Sequence, residues 1–377
     1  MEHSNTTYSE DAISTLALSF LPGIGNILVK QLIAYMGSPS EALNAPRRNL
    51  EKIPGIGKNL IQNIEFEREN CFKKAKNELI SLEKEGGFMV YYLEKGFPSR
   101  LKSIPDCPPI LFGKGLFTFE NPITLAIVGT RQSTNYGKKA IDTFLEELAP
   151  YQPVIVSGLA YGIDIYAHKT ALQLELETWG VMATGIDSIY PSTHKATAIQ
   201  METKGGILTE NIIKSKPDAP KFPARNRIIA GLSDAIWVVE AMEKGGAQIT
   251  ARLAVDYFRD VFALPGNFNQ KASVGCNNLI QKNIAGVVTS GTQLAESMGW
   301  ELPSTETKKP KAYQRPENLS NEDNQILDLL LITGEIQIDE ISWRTQIPVN
   351  QLASKLLNLE FGGLVKSLPG KRFGINK

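Results

Sequence analysis

Residues 154–164 read Val-Ile-Val-Ser-Gly-Leu-Ala-Tyr-Gly-Ile-Asp, an apolar run followed by a glycine-rich turn. The amphipathic segment 163–174 that comes next predicts a helix. The same order of apolar run, turn and helix recurs from about residue 86 to residue 301. The predicted strands are Leu125–Val128, Val154–Val156, Gly180–Ala183, Ile207–Leu208, Ala235–Val239 and Val261–Leu264. Near-continuous apolar strands that alternate with helices predict a parallel sheet covered on both faces, in a doubly wound, Rossmann-like α/β domain.

Glycine and polar residues follow these predicted strands. Gly129, Thr130 and Arg131 come after the first strand, and Gly158 comes after the second. In an open α/β sheet, ligands bind at the carboxyl ends of the strands, so these residues are candidates for a binding rim. Glycines there would expose backbone N–H groups to a phosphate. Strand-to-helix turns need glycine as well, so both interpretations stay open.

A local concentration of positive charge lies between residues 195 and 227. It holds seven cations and three acids, whereas the whole 377-residue chain has 40 Lys+Arg and 40 Asp+Glu. The zero net charge argues against a polycation held to nucleic acid by bulk charge. Within the segment, Phe222 lies between Lys221 and Arg225, and Lys195 and Arg227 mark the ends. An aromatic among cations suits single-stranded nucleic acid, although most charge runs are only solvated surface.

No recognised catalytic or cofactor motif is present. No predicted strand is followed by GxGxxG, and no Walker A loop, HExxH or GxSxG occurs. The three cysteines, Cys71, Cys107 and Cys276, are too far apart to suggest a zinc site or a disulfide scaffold. Asp164 and His168 would share a helix face, and a structural hydrogen bond is favoured there over an acid–base pair. We therefore expect no cofactor, no metal and no catalytic residue.

The compartment follows from absent signals. The start of the chain is polar and acidic, and the apolar runs are strand-length. No signal peptide and no membrane span are therefore expected. Together with the scarce cysteine, this predicts a cytoplasmic protein.

Residues 1–85 predict a helical domain that contains an internal repeat. The turn Leu21-Pro22-Gly23-Ile24-Gly25 and the turn Ile53-Pro54-Gly55-Ile56-Gly57 each precede a helical pattern. Such turns are typical of helix-hairpin-helix (SAM-like) domains, whose glycines let helix N-termini approach DNA phosphates. Secondary DNA contacts are therefore predicted at Gly23, Gly25, Gly55, Gly57 and Lys58. The alternative is that the glycines only make tight turns between packed helices.

The C-terminal part predicts a proline-containing linker at 302–319 and a winged helix at 320–377. Three helices and a terminal hairpin carry the second prediction. The third helix has one cation, Lys355, so base-specific reading of duplex DNA is not expected. The wing cations Lys366, Lys371 and Arg372 fit either phosphate contact or protein docking.

Taken together, the motifs of residues 97–286 resemble the DNA-processing protein A (DprA/Smf) family. The matching motifs, in order, are Phe97-Pro98, Phe112–Gly115, Ile127–Arg131, Val156–Asp164, Tyr190-Pro191, Phe222–Ser233, Pro265-Gly266 and Gly275–Ile280. Two departures stand out. Phe97 replaces the usual tyrosine, and the Gly245–Ala251 loop lacks two hydroxyls of the family's Ser-Gly-Ser-x-x-Thr-Ala, which leaves the role of that loop open.

The resemblance implies a protein that is not an enzyme. Members of the family bind single-stranded DNA, protect incoming strands and load RecA in competition with single-strand-binding protein, in natural transformation and homologous recombination. They generally act as homodimers through the α/β domain. Their DNA pocket would correspond here to Arg131, Lys221, Phe222, Arg225, Asn226 and Arg227, beside the candidates Gly129, Thr130, Gly158 and Lys195.

An enzyme of the lysine-decarboxylase-like phosphoribohydrolase class is the alternative, because its fold is similar. Its phosphate-binding Pro-Gly-Gly-x-Gly-Thr would correspond to Gly245–Thr250, but the catalytic Glu that follows it is missing here. Nucleotide hydrolysis that depends on Glu240 or Asp164 would favour this alternative.

Overall fold

The N-terminal part of the chain is a group of helices. In this computed structural model, which describes residues 8–120, 123–303, 316 and 319–376, they are α1 (Glu10–Phe20), α2 (Asn26–Met36), α3 (Pro39–Leu43), α4 (Arg47–Leu50) and α5 (Lys58–Lys84). Gly25 and Gly57 are the N-caps of α2 and α5, so each repeat opens a helix as predicted. Gly23 and Gly55 have φ angles of 80° and 83°, which only glycine adopts readily.

The two repeats pack against each other in a symmetrical way. The Gln31 side chain donates to the Pro54 carbonyl at 2.9 Å, and the Asn63 side chain donates to the Pro22 carbonyl at 3.2 Å. These pairs occupy equivalent positions in the two copies. The tight-turn interpretation therefore accounts for Gly23 and Gly55, whereas Gly25 and Gly57 are exposed and leave open space around the position of a Cβ.

A nine-stranded sheet forms the centre of the molecule. Its strands are β1 (Phe88–Tyr91), β2 (Ile110–Leu116), β3 (Thr124–Gly129), β4 (Val154–Ser157), β5 (Thr178–Val181), β6 (Gly205–Thr209), β7 (Ala235–Glu240), β8 (Asp260–Ala263) and β9 (Gly286–Val287). The order across the sheet is β1-β2-β6-β5-β4-β3-β7-β8-β9. All pairs from β6 to β9 are parallel. The predicted doubly wound α/β fold is confirmed.

Helices cover both faces of this sheet. They are α6 (Ser99–Lys102), α7 (Asn135–Leu148), α8 (Ile163–Gln173), α9 (Lys195–Met201), α10 (Lys221–Leu232), α11 (Gly246–Asp256), α12 (Lys271–Gln281) and α13 (Gly291–Ser297). Successive residues of β3 enter different cores, with Leu125 and Ile127 on one face and Ala126 and Val128 on the other. This alternation explains why the central strands are apolar without interruption.

The sequence-based prediction of the sheet is incomplete at both edges. It does not include β1 and β2, which pair in antiparallel fashion with each other and, through β2, with β6. Gly113 in β2 breaks the apolar pattern because the Phe88 ring fills the space beside it, 2.5 Å from the position of a Cβ. β5 begins at Thr178, two residues before the predicted Gly180, and β9 is also absent from the prediction.

The N-terminal helices and the sheet share one hydrophobic core. Leu82 of α5 belongs to the same buried cluster as Ile186, Met201 and Ile207. None of the helices in the described ranges combines the length and the apolarity that a membrane crossing requires.

The C-terminal part folds as a winged helix. Its elements are α14 (Asn321–Thr333), β10 (Ile336–Gln337), α15 (Ile338–Thr345), α16 (Val349–Phe361), β11 (Val365–Leu368) and β12 (Arg372–Ile375). Ser320 and Asp323 form a capping box at the start of α14. Of the predicted linker, only residues 302, 303, 316 and 319 are described, and the remaining positions lie outside the described residues.

The tip of the wing contacts the α/β domain. The Gly370 amide donates to the Phe258 carbonyl at 3.2 Å, and the Gln337 side chain donates to the Ser103 carbonyl at 3.1 Å. The Lys371 ammonium lies 4.1 Å from the centroid of the Phe258 ring. Arg372 is buried, with an ion pair to Glu335. In this arrangement Lys371 and Arg372 are engaged within the chain, whereas Lys366 is exposed.

Candidate nucleic-acid interface

A cavity of about 500 Å³ opens at the carboxyl ends of β3 and β7. The chain leaves β3 toward β4 on one side and later places β7 on the other, so this is the point where the strand order reverses. Such switch points are where open α/β sheets bind ligands. Thr130 and Arg131 line one wall, and residues 241, 242 and 244–247 line the opposite wall.

One face of α10 forms a third wall of the cavity. Phe222, Arg225, Asn226 and Ile229 all line it, and this spacing is that of one helical face. Arg227 lies roughly 200° around the helix from Arg225 and therefore points elsewhere. Helical periodicity across residues 221–232 is the sequence signal that distinguishes the residues facing the cavity from Arg227.

Arg131 and Phe222 stand side by side at the mouth of the cavity. The guanidinium carbon of Arg131 is 5.6 Å from the centroid of the Phe222 ring. Arg131 is exposed and Phe222 is half-buried, so both remain accessible. A second cavity lies beside them and includes Tyr161 and Tyr190, and the Tyr190 ring centroid is 5.7 Å from that of Phe222. The arrangement offers a cation and several aromatic faces to a ligand.

Arg225 is buried beneath this pair of residues, with 6% of its surface exposed. Its Nη1 donates to the Val181 carbonyl at 2.7 Å, whereas its Nε has no partner among the described atoms. Burial raises the pKa of the neighbouring Asp164 carboxyl, and the positive charge of Arg225 opposes that rise. The space beside Gly158 is filled by both side chains, because a Cβ there would lie 1.9 Å from Arg225 Nη1.

The remaining predicted residues divide between the rim and the interior. Asn226 donates to the Gly246 carbonyl at 3.4 Å. Arg227 is 9% exposed, and it donates to the Asp106 carbonyl at 2.8 Å and pairs with Glu210. Lys221 is half-buried and donates to the Lys216 carbonyl at 3.1 Å. DNA contact by any of them stays a prediction.

Gly129 has a packing role, whereas Lys195 is free to contact a ligand. A Cβ at Gly129 would lie 2.4 Å from Ile163, so this glycine permits close packing of α8 against β3. Lys195 is exposed at the start of α9, which follows a parallel strand and therefore begins near the carboxyl edge. Four further residues line the two cavities although the sequence predicts no role for them: Tyr161, Tyr190, Gln132 and Lys244. Three of them, Tyr161, Gln132 and Lys244, follow the end of a strand by three or four residues, which is the sequence signal that could have found them.

The first copy of the N-terminal repeat lies against the α/β domain. The Asn26 side chain donates to Glu210 at 3.3 Å, and the Lys30 ammonium donates to the Pro105 carbonyl at 2.9 Å. In the second copy, Lys58 is exposed at the start of α5. The two copies therefore differ in what their helix N-termini face.

The rim carboxyl and imidazole groups are engaged within the protein. Glu240 accepts hydrogen bonds from the Thr134 amide at 2.9 Å and from its hydroxyl at 2.5 Å. His168 is fully buried, with its Nδ1 2.7 Å from the Thr178 hydroxyl, and burial lowers its pKa to about 3. The imidazole therefore makes a structural hydrogen bond, but to Thr178 of β5 rather than to Asp164, and its Nε2 has no partner among the described atoms. Within the described ranges, no group of His, Cys, Asp and Glu has the arrangement of a metal site.

Two family models match the chain. One is described as DNA recombination-mediator protein A and matches residues 88–299, and the other is described as the DprA winged helix domain and matches residues 310–371. The chain is 33% identical to protein Smf of Synechocystis over 393 residues, which cover 95% of this chain and 97% of that protein.

Two solved structures extend this similarity to the fold. DNA processing protein A of Streptococcus pneumoniae is 30% identical, with a TM-score of 0.60 over 77% of this chain and 98% of that chain. DNA processing protein A of Helicobacter pylori, described with a single-stranded DNA binding mode, is 31% identical. Its TM-score is 0.51 over 56% of this chain and 94% of that chain.

Proposed function

The chain belongs to the DNA recombination-mediator protein A (DprA/Smf) family, with a role in recombination-related DNA processing, and we propose that it binds single-stranded DNA at the rim of its sheet. The observation that carries this proposal is the placement of Arg131 beside Phe222 at the mouth of the main cavity. A guanidinium beside an aromatic ring can pair with a phosphate while the ring stacks on a base. The Helicobacter pylori protein, described as binding single-stranded DNA, supports the choice of ligand.

In this proposal the strand follows the exposed groups of the rim. Arg131, Lys195 and Lys221 contact phosphates, with backbone groups of Gly129, Thr130 and Gly158 nearby, and Phe222 stacks on a base. Arg225 and Asn226 act from below as the floor of the cavity, while Arg227 holds α10 in place from its other side. Gly23, Gly25, Gly55, Gly57 and Lys58 form a secondary contact region.

The wider role rests on the family resemblance. We infer that the protein protects incoming strands and loads RecA on DNA covered by single-strand-binding protein, in natural transformation and homologous recombination. We also infer that it is a cytoplasmic homodimer. A direct test is the DNA-dependent ATPase activity of RecA on covered single strands. The wild-type protein should raise it, and Arg131→Ala should not.

The proposal treats the protein as a binding protein rather than an enzyme. Glu240 and Asp164, the carboxylates that a phosphoribohydrolase would need at this rim, already have internal partners.

We also propose that the chain is divided into domains at residues 1–85, 86–301, 302–319 and 320–377. This division agrees with the end of α5 at Lys84 and the start of α14 at Asn321.

The deciding experiment is fluorescence anisotropy with labelled single-stranded and duplex DNA over a salt series. We expect a single-strand preference that Arg131→Ala abolishes, with a salt slope lower by about 0.7 for each phosphate that is no longer neutralised. The matched control is Arg252→Ala, since Arg252 is exposed on α11 and does not line the cavity. Binding that survives Arg131→Ala would move the main site to another part of the chain. No preference for single strands would reject the proposal.

A further inference from the structure

The segment that leads into the proposed DNA site is held by the N-terminal helices. Residues 211–220, here called the basic loop, join β6 to α10 and carry Lys214 and Lys216. The loop is followed directly by Lys221 and Phe222, the first two residues of α10. Few hydrogen bonds lie within it, among them that from the Ser215 amide to the Ile212 carbonyl at 3.1 Å. Its shape therefore depends on neighbouring elements.

Two consecutive amides of the basic loop donate to carboxylates from separate parts of the chain. The Ile213 amide donates to Glu78 of α5 at 2.6 Å. The next amide, that of Lys214, donates to both oxygens of Asp187 at 3.0 and 3.1 Å. Lys214 has a φ of 64°, in the left-handed region that non-glycine residues seldom adopt. The two carboxylates hold the backbone in this conformation.

The N-terminal helices also reach the residue that precedes the loop. Glu210 accepts a hydrogen bond from Asn26 of α2 and pairs with Arg227 of α10. In addition, the Ile213 side chain packs against the core that the N-terminal helices share with the sheet. The N-terminal helices, none of whose residues line the cavity, thus help to anchor the basic loop at its start and at its third residue.

We propose that Glu78 is a positioning residue for DNA binding, which fixes the basic loop so that Lys214, Lys216 and Lys221 align with the phosphates of the strand. This inference rests on the proposed function. Glu78 lies on a helix of the N-terminal part, outside the residues that line the cavity, and acts through the Ile213 amide.

The sign of the effect separates positioning from plain electrostatics. A carboxylate near a bound strand repels its phosphates, so removal of its charge alone should strengthen binding. If Glu78 positions the basic loop, removal of its side chain should weaken binding although the repulsion is gone. Because lysines leave the strand, the salt slope should fall as well, which a general decrease in stability would not cause.

The experiment compares three variants of the full chain by anisotropy with labelled single-stranded DNA over a salt series. Glu78→Ala should bind about three- to tenfold more weakly, with a salt slope smaller by about 0.7 to 1.4, the value for one or two phosphates. Glu78→Gln keeps an oxygen that can accept the Ile213 amide and should bind within about twofold of the wild type. Glu69→Ala removes the same charge from an exposed position of α5 and should bind equally well or more tightly.

The outcomes distinguish the two proposals. Wild-type protein without single-strand preference would reject the proposed function itself. If the wild type shows that preference, Glu78→Ala binding as tightly as the wild type with an unchanged slope would overturn the role of Glu78. Failure of Glu78→Gln to restore binding would overturn it too. Should Glu78→Ala not fold, Glu78→Ser, whose hydroxyl is too short to reach the amide, serves in its place.

Discussion

Replacement of Phe222 by leucine should weaken single-stranded DNA binding without changing its salt dependence. The ring is half-buried, lies 5.6 Å from the Arg131 guanidinium carbon, and borders both rim cavities. Leucine keeps much of the apolar bulk but has no π-face on which a base can stack. Stacking of one base on an aromatic side chain contributes about 1–3 kcal/mol. We take about 1–2 kcal/mol for this substitution, which corresponds to roughly a 5- to 30-fold higher Kd.

The assay is anisotropy with a labelled oligonucleotide at several salt concentrations. Phe222→Leu should shift the line of log K against log salt downward and leave its slope unchanged, because no charge is removed. Arg131→Ala should instead reduce the slope. Phe66→Leu is the matched control, since Phe66 is 82% exposed on α5 and is not among the residues that line the cavity. It should leave both quantities unaltered.

A double-mutant cycle tests whether the two residues act together. Because Arg131 rests against the Phe222 ring, each substitution should remove part of the contribution of the other, and the double variant should lose less than the sum. An unchanged Kd for Phe222→Leu, or a slope reduced as much as that of Arg131→Ala, would refute base stacking at this position.

Three further predictions concern stability and the wing. Gly158→Ala should lower the free energy of unfolding by about 1–3 kcal/mol in urea titrations, because its Cβ would lie 1.9 Å from Arg225 Nη1 and 2.6 Å from Asp164. Gly245→Ala, with no atom within 4 Å of its Cβ, should change it little. His168 has a folded-state pKa lowered to about 3, so the unfolded chain takes up this proton first. The contribution of the neutral His168 side chain to the free energy of unfolding should therefore be present above about pH 6.5. It should decline by roughly 1 kcal/mol per pH unit as the pH falls toward 3. His168→Asn should show a shallower decline, and equal pH profiles would contradict the assignment. Phe258→Ala should speed hydrogen exchange of the Gly370 amide about two- to fivefold by removing the contact of Lys371 with the ring. Lys366→Ala, on the exposed side of β11, should leave the exchange rate of the Gly370 amide unchanged. Equal exchange rates in the two variants would argue against the contact between the wing and the α/β domain.

The parts of the fold that sequence predicts are those with a regular local signal. Leu125–Val128 and Ala235–Val239 are apolar throughout because helices cover both sides, and the strands are found there. β2 gives no such signal, since Gly113 and Gly115 interrupt it. Both glycines are explained only by the folded structure. The Phe88 ring lies beside Gly113, while Gly115 has a φ of 126° and the Gly205 carbonyl would lie 2.1 Å from its Cβ.

The site is predictable at the level of the rim and less so at the level of each side chain. Parallel strands bring their carboxyl ends together, which explains why Arg131 and Phe222 meet although they are far apart in the chain. A lysine or arginine remains available to a ligand only if no Asp or Glu from a distant element pairs with it. Arg227 is paired with Glu210 and lies close to Asp106, and no local pattern reveals that pairing.

The division of cations along α10 follows from its periodicity. Phe222, Arg225, Asn226 and Ile229 share the face toward the cavity, while Arg227 turns toward Glu210 and so toward the helix that carries Asn26. Arg225 and Arg227 lie beside Asp164 and Glu210 below the surface, whereas Arg131, Lys195 and Lys244 are exposed. The positive charge offered to a ligand at the rim therefore comes from these exposed side chains and not from the arginines of α10. The buried arginines fix α10, and α10 fixes Phe222. On this reasoning Arg227→Lys should weaken single-strand binding mainly by loosening α10, and its salt slope should stay close to that of the wild type.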